Sequence, residues 1–255
     1  MGKVYLVGAG PGAPDLLTLR AARLLAEADV VFYDALVHPD TIALAVKARK
    51  VAVGKRAGQL STDQRFINRA LVEAGRRHDC VVRLKGGDPM LFGRAQEEID
   101  ALTNAGVAVE IVPGVTVALA AAASLGTSLT KRGVSRSVTF ATPRVAPKAE
   151  ESDWADAVAR SDTAILYMAA GEAESVRAAL ANRGMAGDTP VVIVTNASLP
   201  NERHIGGTLA DLPALARTRT HGPAILCIGQ VFARPTGEAA ANESNPSTDA
   251  VAKAR

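Results

Sequence analysis

Short apolar runs alternate with longer amphipathic stretches along the first part of the chain, and this alternation is its strongest structural signal. Lys3–Val7, Val30–Tyr33, Lys50–Val53, Cys80–Leu84 and Val107–Val112 read as strands, most of them nearly continuous in apolar residues. Strands covered on both faces have that pattern. Between them, Leu16–Ala26, Asp63–Arg76 and Phe92–Asn104 place apolar residues at helical spacing, and the last is followed by Gly106 in a C-cap position. Alternation of strand and helix of this kind predicts a mostly parallel sheet with helices on both faces.

Pro113-Gly114 punctuates this pattern. The Ala-rich helix Val117–Leu125 follows, and then a second, less regular α/β half. Its strands are expected near Val138–Ala141, Thr163–Tyr167, Val191–Val194, His204–Thr208 and Ala224–Gly229, with helices near Ala155–Arg160, Ala173–Arg183 and Leu212–Arg217. Thr142–Ser152 is a polar loop with two prolines. The expected fold is therefore α/β, with an N-terminal subdomain over 1–113 and a C-terminal one over 114–234. Residues 235–255 hold mainly Ala, Asn, Ser, Pro and charge, the composition of a disordered tail.

Composition narrows the function classes. Aromatic residues make up only 4% of the 255 residues, too few for a base-stacking platform. The net charge of +3 is mild beside the dense basic stripe of a nucleic-acid binder, and it suits an anionic small molecule. Cys80 and Cys227 each sit in an apolar run, and His38, His78, His204 and His221 are scattered, so no metal is expected. Met1–Gly8 runs straight into a strand and no stretch approaches membrane-span length, which predicts a cytoplasmic protein without a membrane or nucleic-acid partner.

Candidate chemistry begins at Gly8-Ala9-Gly10-Pro11-Gly12, directly after the first strand. A tight glycine turn there brings backbone amides close to a cofactor, and Gly8-x-Gly10-x-x-Ala13 fits a permissive dinucleotide fingerprint with Asp34 as a ribose ligand. Pro11 and Pro14, however, remove two donors, and the helical pattern starts only near Leu16. The loop therefore suits a neutral or cationic ligand better than a pyrophosphate, and an NAD(P)-dependent oxidoreductase stays as the weaker alternative. Gly86-Gly87-Asp88, after the fourth strand, is either a plain strand-to-helix connection or a second ligand-facing edge.

Gly8–Thr18 (GAGPGAPDLLT), Tyr33–Val37 (YDALV), Val53–Gly58 (VGKRAG), Gly86–Arg94 (GGDPMLFGR), Pro113–Thr116 (PGVT), Ser128–Arg132 (SLTKR) and Leu166–Met168 (LYM) occur in that order. Together they resemble the tetrapyrrole methylases over about residues 3–232. Tyr33-Asp34 and the Val53–Gly58 segment, followed by Gln64 and Ile67-Asn68, resemble the uroporphyrinogen branch of the family. A later corrin-ring methylase of the same family is the nearer alternative.

The resemblance implies two α/β subdomains with S-adenosyl-L-methionine folded into the cleft between them, and a homodimer. It implies methylation of uroporphyrinogen III at two ring carbons to give precorrin-2, for siroheme or cobalamin, with S-adenosyl-L-homocysteine released. Carried over by motif, the cofactor contacts fall on Pro11, Gly86, Gly87, Asp88, Leu91, Thr116, Val117, Met168 and Ala197. Asp34 matches the family's proposed general base and Lys55 its proposed acid. The substrate carries eight carboxylates, so Arg56, Arg94, Lys131, Arg132 and Arg136 are candidate partners. Val117 where the family often has a small residue, Thr142-Pro143-Arg144 in place of a Gly-His pair, and Ala169-Ala170-Gly171 after Met168 depart from the family pattern.

Overall fold

The computed structural model describes residues 2–54, 64–144 and 152–233. Its first half is a five-stranded sheet of β1 (Lys3–Gly8), β2 (Val30–Tyr33), β3 (Arg49–Ala52), β4 (Cys80–Lys85) and β5 (Ala108–Val112), in spatial order β3-β2-β4-β1-β5. Every pairing in it is parallel, as the alternating pattern requires. One face is covered by α1 (Leu19–Glu27) and α2 (Pro39–Ala43), with Ala21, Leu24 and Leu25 packed on Val7, Val31, Val82 and Leu84. The other is covered by α3 (Gln64–Arg77) and α4 (Ala95–Asn104), which bring Ile67, Leu71 and Leu102 onto Val4, Leu6 and Val81.

α5 (Val117–Ser124) leads into a second sheet of β6 (Val138–Ala141), β7 (Thr163–Tyr167), β8 (Pro190–Thr195), β9 (Arg203–Thr208) and β10 (Ala224–Gly229), in order β6-β7-β10-β8-β9. Only β6 and β7 are parallel; β10 inserts between β7 and β8 and runs antiparallel to both. α6 (Trp154–Ala159), α7 (Ala173–Ala181) and α8 (Leu212–Thr218) pack on one face through Val158, Val176, Leu180 and Leu212. The buried side of α5, with Ala118, Ala121 and Ala122, packs on the opposite face against Ile165, Ile225 and Cys227. Cys227 is fully buried, and burial pushes its thiol up to about 12.

The expected strands all form. The helix expected from Leu16 instead begins at Leu19: Pro14–Leu16 makes a separate 3-10 turn, and the Thr18 hydroxyl accepts the Ala21 amide at 3.1 Å as an N-cap. The helix expected from Phe92 begins at Ala95, because Phe92 and Arg94 have left-handed φ of 52° and 54°. Residues 55–63, 145–151 and 234–255 lie outside the described set, and with them Lys55, Arg56, most of the polar loop expected over Thr142–Ser152 and the tail expected over 235–255. Among the described residues no helix is long and apolar enough to cross a membrane.

Candidate active site

Because β1, β4 and β5 are parallel neighbours, their carboxyl ends deliver Gly8, Gly86-Gly87 and Gly114 to one edge of the first sheet. Gly10 and Gly87 exchange backbone hydrogen bonds at 3.2 and 2.7 Å, and Ala9 donates to the Lys85 carbonyl at 2.7 Å. The chains approach so closely that a β-carbon at Gly8 would lie 2.6 Å from the Gly114 α-carbon. Gly87 differs: its φ is +68°, and a β-carbon there would meet nothing nearer than the Thr116 α-carbon at 4.0 Å. That side of Gly87 therefore opens onto free space beside Thr116, a backbone-lined cradle that a side chain would fill.

Asp88 fastens the edge. Its Oδ1 accepts the Met90 amide at 2.8 Å and its Oδ2 accepts the Gly114 amide at 2.9 Å, so one carboxylate ties the β4 exit to the β5 exit. Leu91 closes the same turn by donating to the Asp88 carbonyl.

The second half faces this edge. The Thr116 and Tyr167 hydroxyls are 2.6 Å apart, and the Tyr167 ring packs on Phe92, with centroids at 4.9 Å, and on Phe140 at 6.1 Å. Burial pushes the Tyr167 hydroxyl above its ordinary pKa. Met168 follows with φ 57° and 44% exposure. After β8, buried Ala197 lies between Asn196 and Ser198, both in left-handed conformation, and the Ser198 hydroxyl accepts the Ala13 amide at 3.0 Å. Glu202 holds this loop by accepting the Ser198 amide, and it pairs with His204. All five non-glycine residues with positive φ among the described residues (Phe92, Arg94, Met168, Asn196 and Ser198) lie in the loops that meet here. Strained backbone of this kind collects at functional sites.

A buried charge network lies under the same edge. Arg83 and Lys85 alternate with Val81 on the face of β4 covered by α3 and α4, and Glu98 enters from the buried stripe of α4 beside Ala95 and Leu102. Arg83 donates through Nε to Glu98 at 3.0 Å and through an Nη to Asp34 Oδ1 at 2.6 Å. Lys85 Nζ lies 3.1 Å from both Glu98 oxygens, and Gln64 donates to Glu98 at 3.2 Å. Burial, then the adjacent Arg83 charge, pull the Lys85 ammonium below its ordinary pKa, against the pull of Glu98 and Asp34. Asp34 is the outermost member, with 28% of its side chain exposed where the other three have 4% or less.

The structure thus brings together Pro11, Gly86, Gly87, Asp88, Leu91, Thr116, Val117, Met168 and Ala197 around the meeting of the two halves, with Asp34 on the same sheet edge. Arg94 is exposed at the start of α4 and forms a two-bond pair with Glu97 at 2.7 and 2.8 Å. Lys131, Arg132 and Arg136 stand apart from this group. Their turn is tied by the Ser135 hydroxyl to Thr163 at 2.8 Å, and the Arg136 amide to Asp162, at the amino end of β7. Tyr167 is at the other end of that strand, about 13 Å away at strand rise. Lys55 and Arg56 lie outside the described residues; Gly54, just before them, packs where a β-carbon would be 2.8 Å from the Asp34 α-carbon.

Sequence reading missed Arg83, Lys85, Glu98, Tyr167 and Glu202. Two signals were available: charges at alternate positions inside an otherwise apolar strand, and a glutamate three residues after Ala95 and four before Leu102 on the buried side of a helix.

An all-parallel half and a mixed half, joined through α5 and meeting at a proline-interrupted glycine loop, define a two-subdomain α/β methylase. Residues 3–213 match the family profile Tetrapyrrole (Corrin/Porphyrin) Methylases, and the chain belongs to that family. It is 47% identical to a uroporphyrinogen-III C-methyltransferase of Pseudomonas aeruginosa over 233 residues, covering 90% of this chain and 94% of that protein. It is 44% identical over 232 residues to a siroheme synthase of Pseudomonas entomophila, but spans only 50% of that relative's length. Among solved structures it is similar to a uroporphyrin-III C-methyl transferase of Thermus thermophilus complexed with S-adenyl homocysteine, with TM-score 0.79, 41% identity, and coverage of 90% and 98%.

Proposed function

We propose that the chain transfers methyl groups from S-adenosylmethionine to two ring carbons of uroporphyrinogen III, giving precorrin-2 as a precursor of siroheme or cobalamin. The observation that carries this reading is the open side of Gly87 beside Thr116, at the edge where Asp34 stands. The residues fit the cofactor: Gly87 leaves space beside Thr116, and Pro11, Met168 and Ala197 on the neighbouring loops carry no charge that would repel a sulfonium. When bound, S-adenosylmethionine supplies an electrophilic methyl group. Gly86, Gly87 and Ala197 give it close backbone walls, and Asp88 holds the β4 and β5 exits at fixed spacing. Much of the rate comes from such alignment.

Methylating a pyrrole carbon requires a proton to leave the macrocycle, and Asp34 accepts it as general base. Lys55 is the proposed acid. Arg94 and Arg56 are proposed partners of substrate carboxylates, whereas Lys131, Arg132 and Arg136 serve that role only in a form where their turn meets a second copy's cleft, as in a homodimer. The working division is 1–113, 114–234 and a tail over 235–255, in a cytoplasmic protein.

Anaerobic incubation with uroporphyrinogen III and S-adenosylmethionine tests the reading. Mass spectrometry should show a product heavier by two methyl groups; unchanged substrate beside an active control overturns it. Asp34→Ala should keep cofactor affinity within about twofold while turnover falls about a hundredfold or more. Loss of cofactor affinity instead identifies Asp34 as a cofactor ligand.

A further inference from the structure

We propose that Glu98 and Lys85 are positioning residues that act through Arg83 to set both the direction of the Asp34 carboxylate and the charge balance around it. The inference rests on Asp34 being the base in the methylation proposed above.

All three nitrogens of the Arg83 guanidinium are used: Nε to Glu98 at 3.0 Å, one Nη to Asp34 at 2.6 Å, and the other to the Leu84 carbonyl at 3.3 Å. A guanidinium held at three points cannot swing, so Asp34 Oδ1 is fixed from within the fold and Oδ2 has no partner among the described residues. Glu98 is what holds Arg83, and Glu98 is itself held by Lys85 on both oxygens and by Gln64, which also bonds Asn68.

Charge balance makes the arrangement more than a brace. Arg83 and Lys85 carry two positive charges and Glu98 and Asp34 two negative, so the quartet is neutral while Asp34 is ionised. Buried ion pairs of this kind add little stability over packed apolar side chains, so stability alone does not account for four charges here. A proton accepted at Asp34 leaves the network with one excess positive charge. Of the other charged neighbours, Glu97 is paired with Arg94 and also feels the Lys85 charge. On α3 the neutral Gln64 bonds both Glu98 and Asn68, and on β2 Tyr33 precedes Asp34. Lys55 and Arg56 lie outside the described residues and are kept in every variant below.

The test measures turnover against pH, and S-adenosylmethionine affinity, for wild type, Glu98→Gln, Lys85→Met and the double variant. Glu98→Gln leaves the network with one excess positive charge and should move the acid limb of the kcat profile to lower pH while kcat falls about tenfold to a hundredfold. Lys85→Met removes a positive charge and should move that limb to higher pH. The double variant, again charge-balanced, should return the limb toward wild type. Cofactor affinity should stay unchanged throughout.

If one single variant does not fold, the other single and the double variant decide. Limbs that stay put, or variants that lose cofactor affinity in step with turnover, overturn the inference. A wild-type protein that methylates nothing overturns the functional reading instead, so the two failures are distinct.

Discussion

A single missing methyl group decides the geometry of the glycine edge. A β-carbon at Gly114 would stand 2.8 Å from the Gly8 α-carbon and closer still to the Gly87 carbonyl oxygen, both of them backbone atoms in paired strand ends that cannot give way. Gly114→Ala should therefore destabilise the protein by about 1–3 kcal/mol, as overpacking does, and weaken S-adenosylmethionine binding at the same time. Urea unfolding and calorimetric titration check the two effects. Gly8, Gly86-Gly87 and Asp88 were legible in the sequence because glycine at a strand end has few other uses. The duties of Asp88 were not: nothing local reveals that one oxygen takes the Met90 amide and the other an amide 26 residues away. Arg83 and Lys85 were passed over for a related reason, since their partner Glu98 belongs to another element.

At the scale of elements, the strands of the first half were readable to within one residue because parallel strands buried on both faces leave continuous apolar runs. Helix starts were the weak point. Apolar spacing extends past the true end of a helix whenever the preceding turn also packs inward, as Leu16 and Leu17 do, and only the cap marks the boundary. Thr18→Ala removes that cap and should lower stability by about 1 kcal/mol in urea unfolding, whereas Thr18→Ser should keep most of it. α2 went unread because five residues are too few to show a period. In the second half the strands were found but their directions were not. Strand direction depends on where the connections run, and the insertion of β10 between β7 and β8 pairs it with a strand about sixty residues earlier in the chain.

Two separately built sheets become one working molecule through few direct bonds. The Ala13 amide bonds the Ser198 hydroxyl across the cleft, and the Phe92 ring packs across it on Tyr167, which Thr116 holds from within the second half. Tyr167→Phe keeps the ring contacts to Phe92 and Phe140 and deletes only the hydroxyl bond. It should lower unfolding free energy by about 1 kcal/mol and weaken cofactor binding, because Thr116 loses its restraint. Calorimetric unfolding with and without S-adenosylmethionine separates the two contributions.

The two cysteines offer a way to watch those halves independently. Cys80 begins β4 in the first sheet and is half-buried, while Cys227 sits in the central strand of the second, wholly enclosed and with its thiol held protonated. Since only a thiolate reacts, alkylation of Cys227 requires its sheet to open, and each half thus carries its own clock. Cofactor held by one half should slow that half's clock alone by mass action, whereas cofactor that draws the halves together should slow both by the same factor. Timed labelling read by intact mass, with Cys80→Ser and Cys227→Ala variants to tell the sites apart, distinguishes a passive pocket from a hinge that closes.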